Sequence, residues 1–262
     1  MVSFKTASNN WEGLAQKDAY WAICTDPEKK GGGWKNDEFF YTGRKEIDGI
    51  WSYLSVNGWL PKNKEEALDF GCGIGRLSFP LVSIFDRVTG VDVSKTMIQK
   101  ANEFNQFKDR LSFVHNERPG LSLFSDGTFS FVITLITLQH VPKPHSLTYI
   151  SEFMRILKPH GIAVFQVPTE DRRKFSLVQR FKSAVHIRER LTHLGIGSGF
   201  RMEMFSLPES EVRQRIENGR GSIVGTVTTN QTNPSYRGEL RFNHPDDIGD
   251  FKSTLFVVRK NA

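Results

Sequence analysis

Residues 66–76 read Glu66-Ala-Leu-Asp-Phe-Gly-Cys-Gly-Ile-Gly-Arg76, an apolar strand that runs directly into three closely spaced glycines. Glycine has no Cβ, so the backbone can turn sharply at this point and come close to a ligand. The next residues place Leu77, Leu81, Ile84 and Phe85 on one side of a helix. In an open parallel sheet, such a turn lies at the carboxyl ends of the strands, where ligands bind. The segment therefore predicts a ligand site at that edge of an α/β sheet.

The alternation of strand and helix continues on both sides of this turn. Further strands are expected at Arg87–Val93, Leu111–Asn116, Phe129–Ile136, Ile162–Val167, Ser222–Thr228 and Ser253–Lys260. Parallel strands joined by helices require right-handed crossovers and a sheet that is covered on both faces. We therefore predict a helical N-terminal extension over residues 1–62 and an α/β domain over residues 63–262, with a lid inserted after the fifth strand at about 168–208.

Two acidic residues indicate the charge of the ligand. Asp69 precedes the first glycine, and Asp92 ends the second strand. A carboxylate at position 69 would repel a pyrophosphate, and the GxGxG spacing departs from the GxGxxG of dinucleotide enzymes. The same carboxylate would attract a ligand with an ammonium and a sulfonium group, such as S-adenosylmethionine (SAM). Asp92 can accept hydrogen bonds from both ribose hydroxyls, or it can cap the turn before Ser94.

Four segments in this order resemble the class I SAM-dependent methyltransferases, over about residues 64–167. They are Leu68–Arg76, Gly90–Ser94, Phe129–Val132 with Leu138–Pro142, and Glu152–Gly161. The resemblance implies a Rossmann-like sheet of seven strands, in which the last strand runs antiparallel between its neighbours. It also implies SAM as the cofactor and S-adenosylhomocysteine (SAH) as the product. A weaker resemblance, through Phe39–Arg44 and Pro208–Val212, is to bacterial enzymes that methylate sugars and other small metabolites.

The resemblance also assigns cofactor-binding residues by position. The first glycine turn would contact the methionine and ribose portions of SAM, the third strand's end the adenine, and the fourth strand's end the methyl group. The expected residues are Asp69, Gly71, Cys72, Gly73, Gly75, Arg76, Asp92, Val93, Asn116, Leu121 and Leu135. Arg44 is a candidate partner of the SAM carboxylate, or else a solvated surface arginine. The family pattern is not matched at Ser130, His160 and Gly120, the last of which stands where an acidic adenine contact is frequent.

A base is needed if the acceptor is a hydroxyl or an ammonium group. His140 follows the fourth strand and is the catalytic candidate, because histidine titrates in the useful range. The alternative is a residue that only shapes the pocket. Residues 137–143 contain no cluster of acids, so no metal site is predicted. Aromatic side chains of the extension could cover the site or simply pack together: Tyr20, Trp21, Trp34, Phe40 and Tyr41.

Composition limits the remaining possibilities. The chain has two cysteines in no metal-binding arrangement and lacks the basic start and apolar run of a signal peptide. Its longest apolar stretch is about half of what a bilayer requires, which predicts a cytoplasmic protein. The net charge is +6, and the basic excess is concentrated at residues 172–190. That stretch could be an amphipathic cover, a site for an anionic substrate, or a membrane-surface contact.

The predicted function is transfer of a methyl group from SAM to a hydroxyl or amine of a small molecule, such as a sugar, a nucleotide-linked sugar or a secondary metabolite. The basic charge leaves an RNA methyltransferase as an alternative. Against it, Leu138–Pro142 reads LQHVP, whereas enzymes that methylate base amino groups carry an Asn/Asp-Pro-Pro-aromatic cluster. A second alternative is a non-catalytic SAM-binding partner protein.

Overall fold

The computed structural model describes residues 2–173, 202–243 and 249–262. Its strands are β1 (Glu66–Phe70), β2 (Arg87–Asp92), β3 (Leu111–His115), β4 (Phe129–Thr134), β5 (Leu157–Asp171), β6 (Gly221–Thr229) and β7 (Phe251–Lys260). They form one seven-stranded sheet in the order β3-β2-β1-β4-β5-β7-β6. The first five strands are parallel, and β7 runs antiparallel to both β5 and β6. The predicted fold, including the last strand between its neighbours, is confirmed.

The helices surround this sheet. They are α1 (Phe4–Ile23), α2 (Asn36–Val56), α3 (Ser78–Leu81), α4 (Lys95–Phe104), α5 (Lys143–Ile156) and α6 (Glu209–Asn218), with 3₁₀ helices η1 (Pro27–Lys29) and η2 (Leu138–His140). The helical N-terminal extension predicted before the sheet is therefore present as α1, η1 and α2. Ser94 caps α4 by accepting the Met97 N–H at 3.2 Å, which satisfies one of the free donors at the helix start.

The sequence overestimated the helix after β1. Its apolar stripe predicted a helix to about Phe85, but α3 ends at Leu81. Residues 82–84 continue in tighter turns, each N–H bonded to the carbonyl three residues earlier. The stripe is nevertheless buried at Leu81 and Phe85.

Each face of the sheet carries its own apolar core, because successive side chains of a strand point to opposite faces. Leu68 and Val132 pack on one face with residues of α5 and α6. Ala67 and Ile133 pack on the other face with residues of α2. A third cluster joins the N-terminal extension to α4 and includes Leu14, Ala19, Trp34, Phe39 and Met97. Within the described ranges, every helix is too short or too polar to cross a lipid bilayer.

The segment predicted as a lid after the fifth strand falls mostly outside the described residues, as does most of the basic stretch at 172–190. At the edge of this segment, Arg172 pairs with Glu170 at 2.7 Å and Arg173 with Asp171 at 2.6 Å. The chain is described again from Met202, and Leu207 N–H donates to Pro168 O at 2.8 Å. Residues 205–207 therefore lie beside η2 and the carboxyl-terminal part of β5, since Phe205 N–H also donates to Gln139 O at 2.7 Å.

Candidate functional site

A cavity opens at the carboxyl ends of the parallel strands, beside the point between β1 and β4 where the strand order reverses. Ligands of open α/β sheets bind at this topological position. The walls come from the ends of β1, β2 and β4, from η2, and from the first half of α1. The lining includes Phe4, Ala7, Ser8, Trp11, Ile23, Asp69, Gly71, Cys72, Gly73, Arg76, Asp92, Val93, Met97, Asn116, Leu135, Thr137, His140, Val141 and Tyr149.

The glycine turn forms the floor of this cavity. Gly71 and Gly73 have φ values of 72° and 54°, in the left-handed region that favours glycine. A Cβ on Gly71 would lie 2.2 Å from Thr137 Cγ2, and a Cβ on Gly73 would lie 2.5 Å from Ile23 Cδ1. The Gly71 N–H donates to Val91 O at 2.8 Å, which ties the turn to β2. Both geometry and space therefore exclude side chains here.

Asp92 holds the turn from the neighbouring strand. Its Oδ2 accepts the Gly73 N–H at 2.9 Å, and its Oδ1 accepts the Ser94 N–H at 2.8 Å. Asp92 therefore caps the turn before Ser94, which was the alternative to a role in binding the ribose. Each carboxylate oxygen has more than one acceptor site, so these bonds do not use up its capacity. Burial raises the pKa of Asp92, although the N–H groups of Ser94 and Gly73 oppose this shift.

Asp69 lies deeper, at the end of β1, and its side chain is buried. Its Oδ2 accepts the Ser78 hydroxyl at 2.6 Å. Burial raises the pKa of Asp69 to about 7, because the charged form loses its hydration, while the Ser78 bond and the nearby Arg76 charge oppose this effect. A cationic ligand beside this carboxylate would favour its ionised form.

Arg76 ends the glycine turn and is fixed by a buried polar cluster that the sequence interpretation missed. Its Nη2 pairs with Glu46 Oε2 at 2.6 Å. Glu46 Oε1 also accepts the Tyr236 hydroxyl at 2.7 Å and the Gln231 amide at 2.9 Å. Burial acts to lower the pKa of Arg76, but the Glu46 carboxylate raises it above its usual value. The sequence contained one indication of this cluster, because Glu46 is a charged residue on the apolar side of α2, next to Ile47.

His140 lines the cavity with both ring nitrogens engaged. Its Nδ1 lies 2.6 Å from Glu203 O, so this nitrogen carries the proton and donates it. Its Nε2 lies 3.1 Å from the Gln139 side-chain nitrogen, which is a donor to it. The Trp11 ring packs edge to face against the imidazole, with 4.9 Å between the ring centroids. Burial lowers the pKa of His140 to about 4. These contacts favour the pocket-shaping alternative over a free general base.

The structure brings together most of the predicted cofactor residues but not all of them. Gly75 lies behind the cavity wall, where a Cβ would be 2.7 Å from Phe113 Cζ, so its lack of a side chain permits packing. Leu121 is fully buried in the core, and Arg44 is an exposed residue of α2. None of these three lines the cavity, whereas the other predicted residues do: Asp69, Gly71, Cys72, Gly73, Arg76, Asp92, Val93, Asn116, Leu135 and His140.

The aromatic residues over the cavity are not the five candidates from the sequence, for which packing was the alternative. Trp11 and Phe4 of α1 line it. By contrast, Trp34, Tyr20 and Phe40 pack in the third apolar cluster. The other two aromatic candidates also lie elsewhere, since Trp21 Nε1 donates to Asp26 O at 2.9 Å and Tyr41 is 59% exposed. In the part of the chain that the structure describes, no group of three or more His, Cys, Asp or Glu side chains is placed to hold a metal ion.

Comparison with known proteins adds independent findings. Residues 67–161 match the family described as methyltransferase domain. The chain is 26% identical over 131 residues to a ubiquinone biosynthesis O-methyltransferase of Maricaulis maris, which covers 50% of this chain and 51% of that protein. It is 30% identical over 130 residues to the magnesium-protoporphyrin O-methyltransferase of Synechocystis, covering 48% of this chain and 54% of that protein. The chain thus spans about half the length of these curated relatives.

Solved structures show the same fold over the full chain. The magnesium protoporphyrin IX methyltransferase of Synechocystis PCC 6803, crystallised with SAH, superposes with a TM-score of 0.60 at 17% identity, covering 99% of this chain and 100% of that one. A protein of Pyrococcus horikoshii superposes with a TM-score of 0.56 at 20% identity, covering 92% and 98%. At these identities the likeness concerns the fold.

Proposed function

Residues 67–161 are a methyltransferase domain, and from this premise we propose that the chain binds SAM in the cavity and transfers its methyl group to a small molecule. The observation that carries the proposal is the convergence of Asp69, Asp92 and the Gly71–Gly73 turn on one cavity. Two carboxylates suit a cationic nucleoside and would repel a diphosphate. The structural relative from Synechocystis was crystallised both with SAM and with SAH, which supports this choice of cofactor.

Each charged group of the cavity has a proposed partner on the cofactor. Asp92 would accept the ribose hydroxyls with the acceptor sites that Gly73 and Ser94 leave open. Asp69 would face the ammonium group. Arg76, which lines the cavity, is proposed to contact the carboxylate of SAM. It replaces Arg44 in this role, because Arg44 lies outside the cavity. Arg76 Nε has no hydrogen-bond partner within the described residues, and because it is buried, the guanidinium would have to shift slightly to donate from it to the cofactor.

The remaining lining residues would surround the uncharged parts. Val93 and Asn116 follow β2 and β3 and would border the adenine, and the Asn116 side chain is fixed by donating to Gly120 O at 2.8 Å. Leu135 follows β4 and would face the methyl group and the methionine chain. This placement leaves the space beneath Trp11 and Val141 for the acceptor.

In the reaction, a lone pair of the acceptor oxygen or nitrogen attacks the methyl carbon in line with the carbon–sulfur bond. That bond breaks, its electron pair neutralises the sulfonium to give SAH, and the acceptor loses its proton. The carbon is already activated, so the protein's contribution is alignment and exclusion of water. His140 stays the candidate base, but its contacts support a positioning role in which Nδ1 fixes residues 202–207 against η2.

The acceptor is proposed to be a hydroxyl or amine of a small molecule. Two of the matched relatives are named as O-methyltransferases, which supports oxygen as the acceptor atom. The described lining beyond the carboxylates is mostly apolar, with Phe4, Trp11, Val141 and Leu135 among its members. Such a surface suits an acceptor with an apolar body.

Calorimetry with SAM and SAH on the folded protein tests the proposal. We expect saturable binding of both, and binding weakened about tenfold or more in Asp92→Asn, because hydrogen bonds to a charged group are lost. Asp126→Asn changes an 80% exposed carboxylate and is the matched control. Absence of binding by the wild-type protein would refute the proposal. Turnover is then followed as SAH release across a panel of sugars, phenols and amines, with tRNA included. Binding to tRNA that falls steeply with salt would move the acceptor to nucleic acid.

A further inference from the structure

The first half of α1 crosses the mouth of the cavity from one wall to the other. The Phe4 ring contacts His145 at the start of α5, at 5.1 Å between centroids. Trp11 contacts His140 of η2 at 4.9 Å. One residue later, Glu12 reaches the start of α4 and accepts the Thr96 hydroxyl at 2.6 Å. The helix thus touches three separate elements around the cavity, and Phe4, Ala7, Ser8 and Trp11 of this half line it.

This half of α1 is separated from the rest of the helix by a break. Asp18 has φ −160° and ψ 87°, which is extended and not helical. Its Oδ1 accepts the Trp21 N–H at 3.1 Å, and its Oδ2 accepts the Gly31 and Gly32 N–H groups at 2.8 and 3.0 Å. The residues after the break are thereby capped and attached to the loop before α2. Asp18 is placed as a hinge, with a fixed segment on its C-terminal side.

The part of α1 that lies over the cavity is less buried than the part after the hinge. After it, Ala19 and Ala22 lie in the third apolar cluster with Trp34 and Phe39. Before it, Leu14 and Ala15 belong to the same cluster, but residues 4–12 contain no buried residue. Segments with few buried apolar contacts open at low free-energy cost. The polar contacts of Glu12, together with the ring contacts of Phe4 and Trp11, therefore attach residues 4–12.

Glu12 makes these contacts at the same turn that holds Asp92. Its Oε2 accepts the Ser94 hydroxyl at 2.7 Å and the Thr96 N–H at 3.2 Å. Burial acts to raise the pKa of Glu12, but the bonds from Thr96 and Ser94 lower it below its usual value. Ser94 in turn donates its N–H to Asp92 Oδ1 at 2.8 Å. The closed position of α1 is therefore linked, through Ser94, to the carboxylate that is proposed to hold the ribose.

We propose that residues 4–17 form an N-terminal lid that opens at Asp18 to admit SAM and closes over it, with Glu12 as the positioning residue that latches the lid to Ser94 and Thr96. This inference rests on the proposed function for its ligand. In the closed state the lid covers the cofactor with Trp11 and Phe4, and Glu12 supports the turn that orients Asp92. Release of SAH requires the latch to open again.

Hydrogen–deuterium exchange of the full chain, with and without SAH, tests the lid. We expect SAH to slow the exchange of residues 4–17 at least about tenfold, with little change in α2. In Glu12→Gln, exchange of residues 4–17 in the ligand-free protein should rise and the Kd for SAH should increase about tenfold, because a smaller fraction is closed. Glu38→Gln is the control, since Glu38 pairs with Lys29 at the surface of the same extension.

Thr96→Val removes one donor to Glu12 while keeping the side-chain size, and it serves where Glu12→Gln fails to fold. If both changes break the same latch, their effects on the Kd for SAH should combine less than additively in the double variant. SAH binding without slower exchange of residues 4–17 would overturn the lid and leave the proposed function intact. Failure of the wild type to bind SAH would remove the proposed function. In that case the latch is still tested by hydrogen–deuterium exchange of the ligand-free protein. Exchange of residues 4–17 must be faster in Glu12→Gln than in the wild type.

Discussion

At the scale of single residues, the titration of Asp69 gives a prediction with a defined sign. A carboxyl with a pKa of about 7 is mostly neutral at pH 6 and mostly ionised at pH 8. A cofactor ammonium binds the ionised form, so protonation competes with the ligand. We expect the affinity for SAM to fall about tenfold between pH 8 and pH 6, because one pH unit below the pKa corresponds to a tenfold change in ionised fraction.

The partner of Asp69 provides the matched variant. Ser78→Ala removes the hydroxyl that donates to Oδ2, so the midpoint of the pH dependence should move upward. Asp69→Asn should bind SAM weakly at every pH and lose the dependence. Calorimetric titrations between pH 6 and 8 compare the wild type, Ser78→Ala and Asp69→Asn. Asp92→Asn is titrated as well, because the pKa of Asp92 is also raised. An affinity that stays constant across this range would exclude Asp69 as the group facing the ammonium.

The role of His140 can also be separated by substitution. An asparagine side chain can place its amide donor near the position of Nδ1 and keep the bond to Glu203 O, whereas phenylalanine cannot. If His140 positions residues 202–207, His140→Asn should keep most of the methyl transfer, and His140→Phe should lose it and raise amide exchange at 202–207. If His140 is the base, both variants should lose about 10²–10⁴-fold in turnover. SAH release with an accepted acceptor gives the measurement.

At the scale of elements, the strands and the glycine turn could be predicted because their signals are local. The strand expected before the glycine turn is present as β1, and the acids at the ends of β1 and β2 line the cavity. The cover of the cavity could not be predicted in the same way. Trp11 belongs to a helix whose position depends on Glu12 bonding to Thr96, 84 residues away. Nothing in the spacing of aromatic residues distinguishes Trp11 from Trp34, which packs in a core.

The Glu46 cluster shows the same limit more strongly. Tyr236 and Glu46 are 190 residues apart, so no periodicity connects them. Arg76 was predicted to bind the cofactor, but the interpretation did not include the buried carboxylate that fixes its guanidinium. A charge on the apolar side of α2 indicated that a partner must exist, because a buried charge is costly unless it is paired. It did not indicate which residue the partner is.

At the scale of the whole molecule, this cluster connects the N-terminal extension, the glycine turn and the segment after β6. Glu46→Ala would leave Arg76 buried without its partner, which costs about 3–5 kcal/mol. In a chain of this size that corresponds to a fall in Tm of about 10 °C. Glu38→Ala removes the surface pair with Lys29 and should change Tm little, since exposed pairs contribute about 0–1 kcal/mol. Thermal unfolding followed by circular dichroism measures both, and equal Tm values would contradict the prediction.

The position of β7 has a consequence for how the chain is made. Among the described strands, β6 pairs with β7 alone, and β7 lies between β5 and β6. The residues of β7, Phe251–Lys260, leave the ribosome after the other six described strands. Until they emerge, β5 exposes the edge that β7 will occupy, and such an edge can pair with other chains. The nascent protein therefore depends on β7 to cover this edge and prevent such pairing.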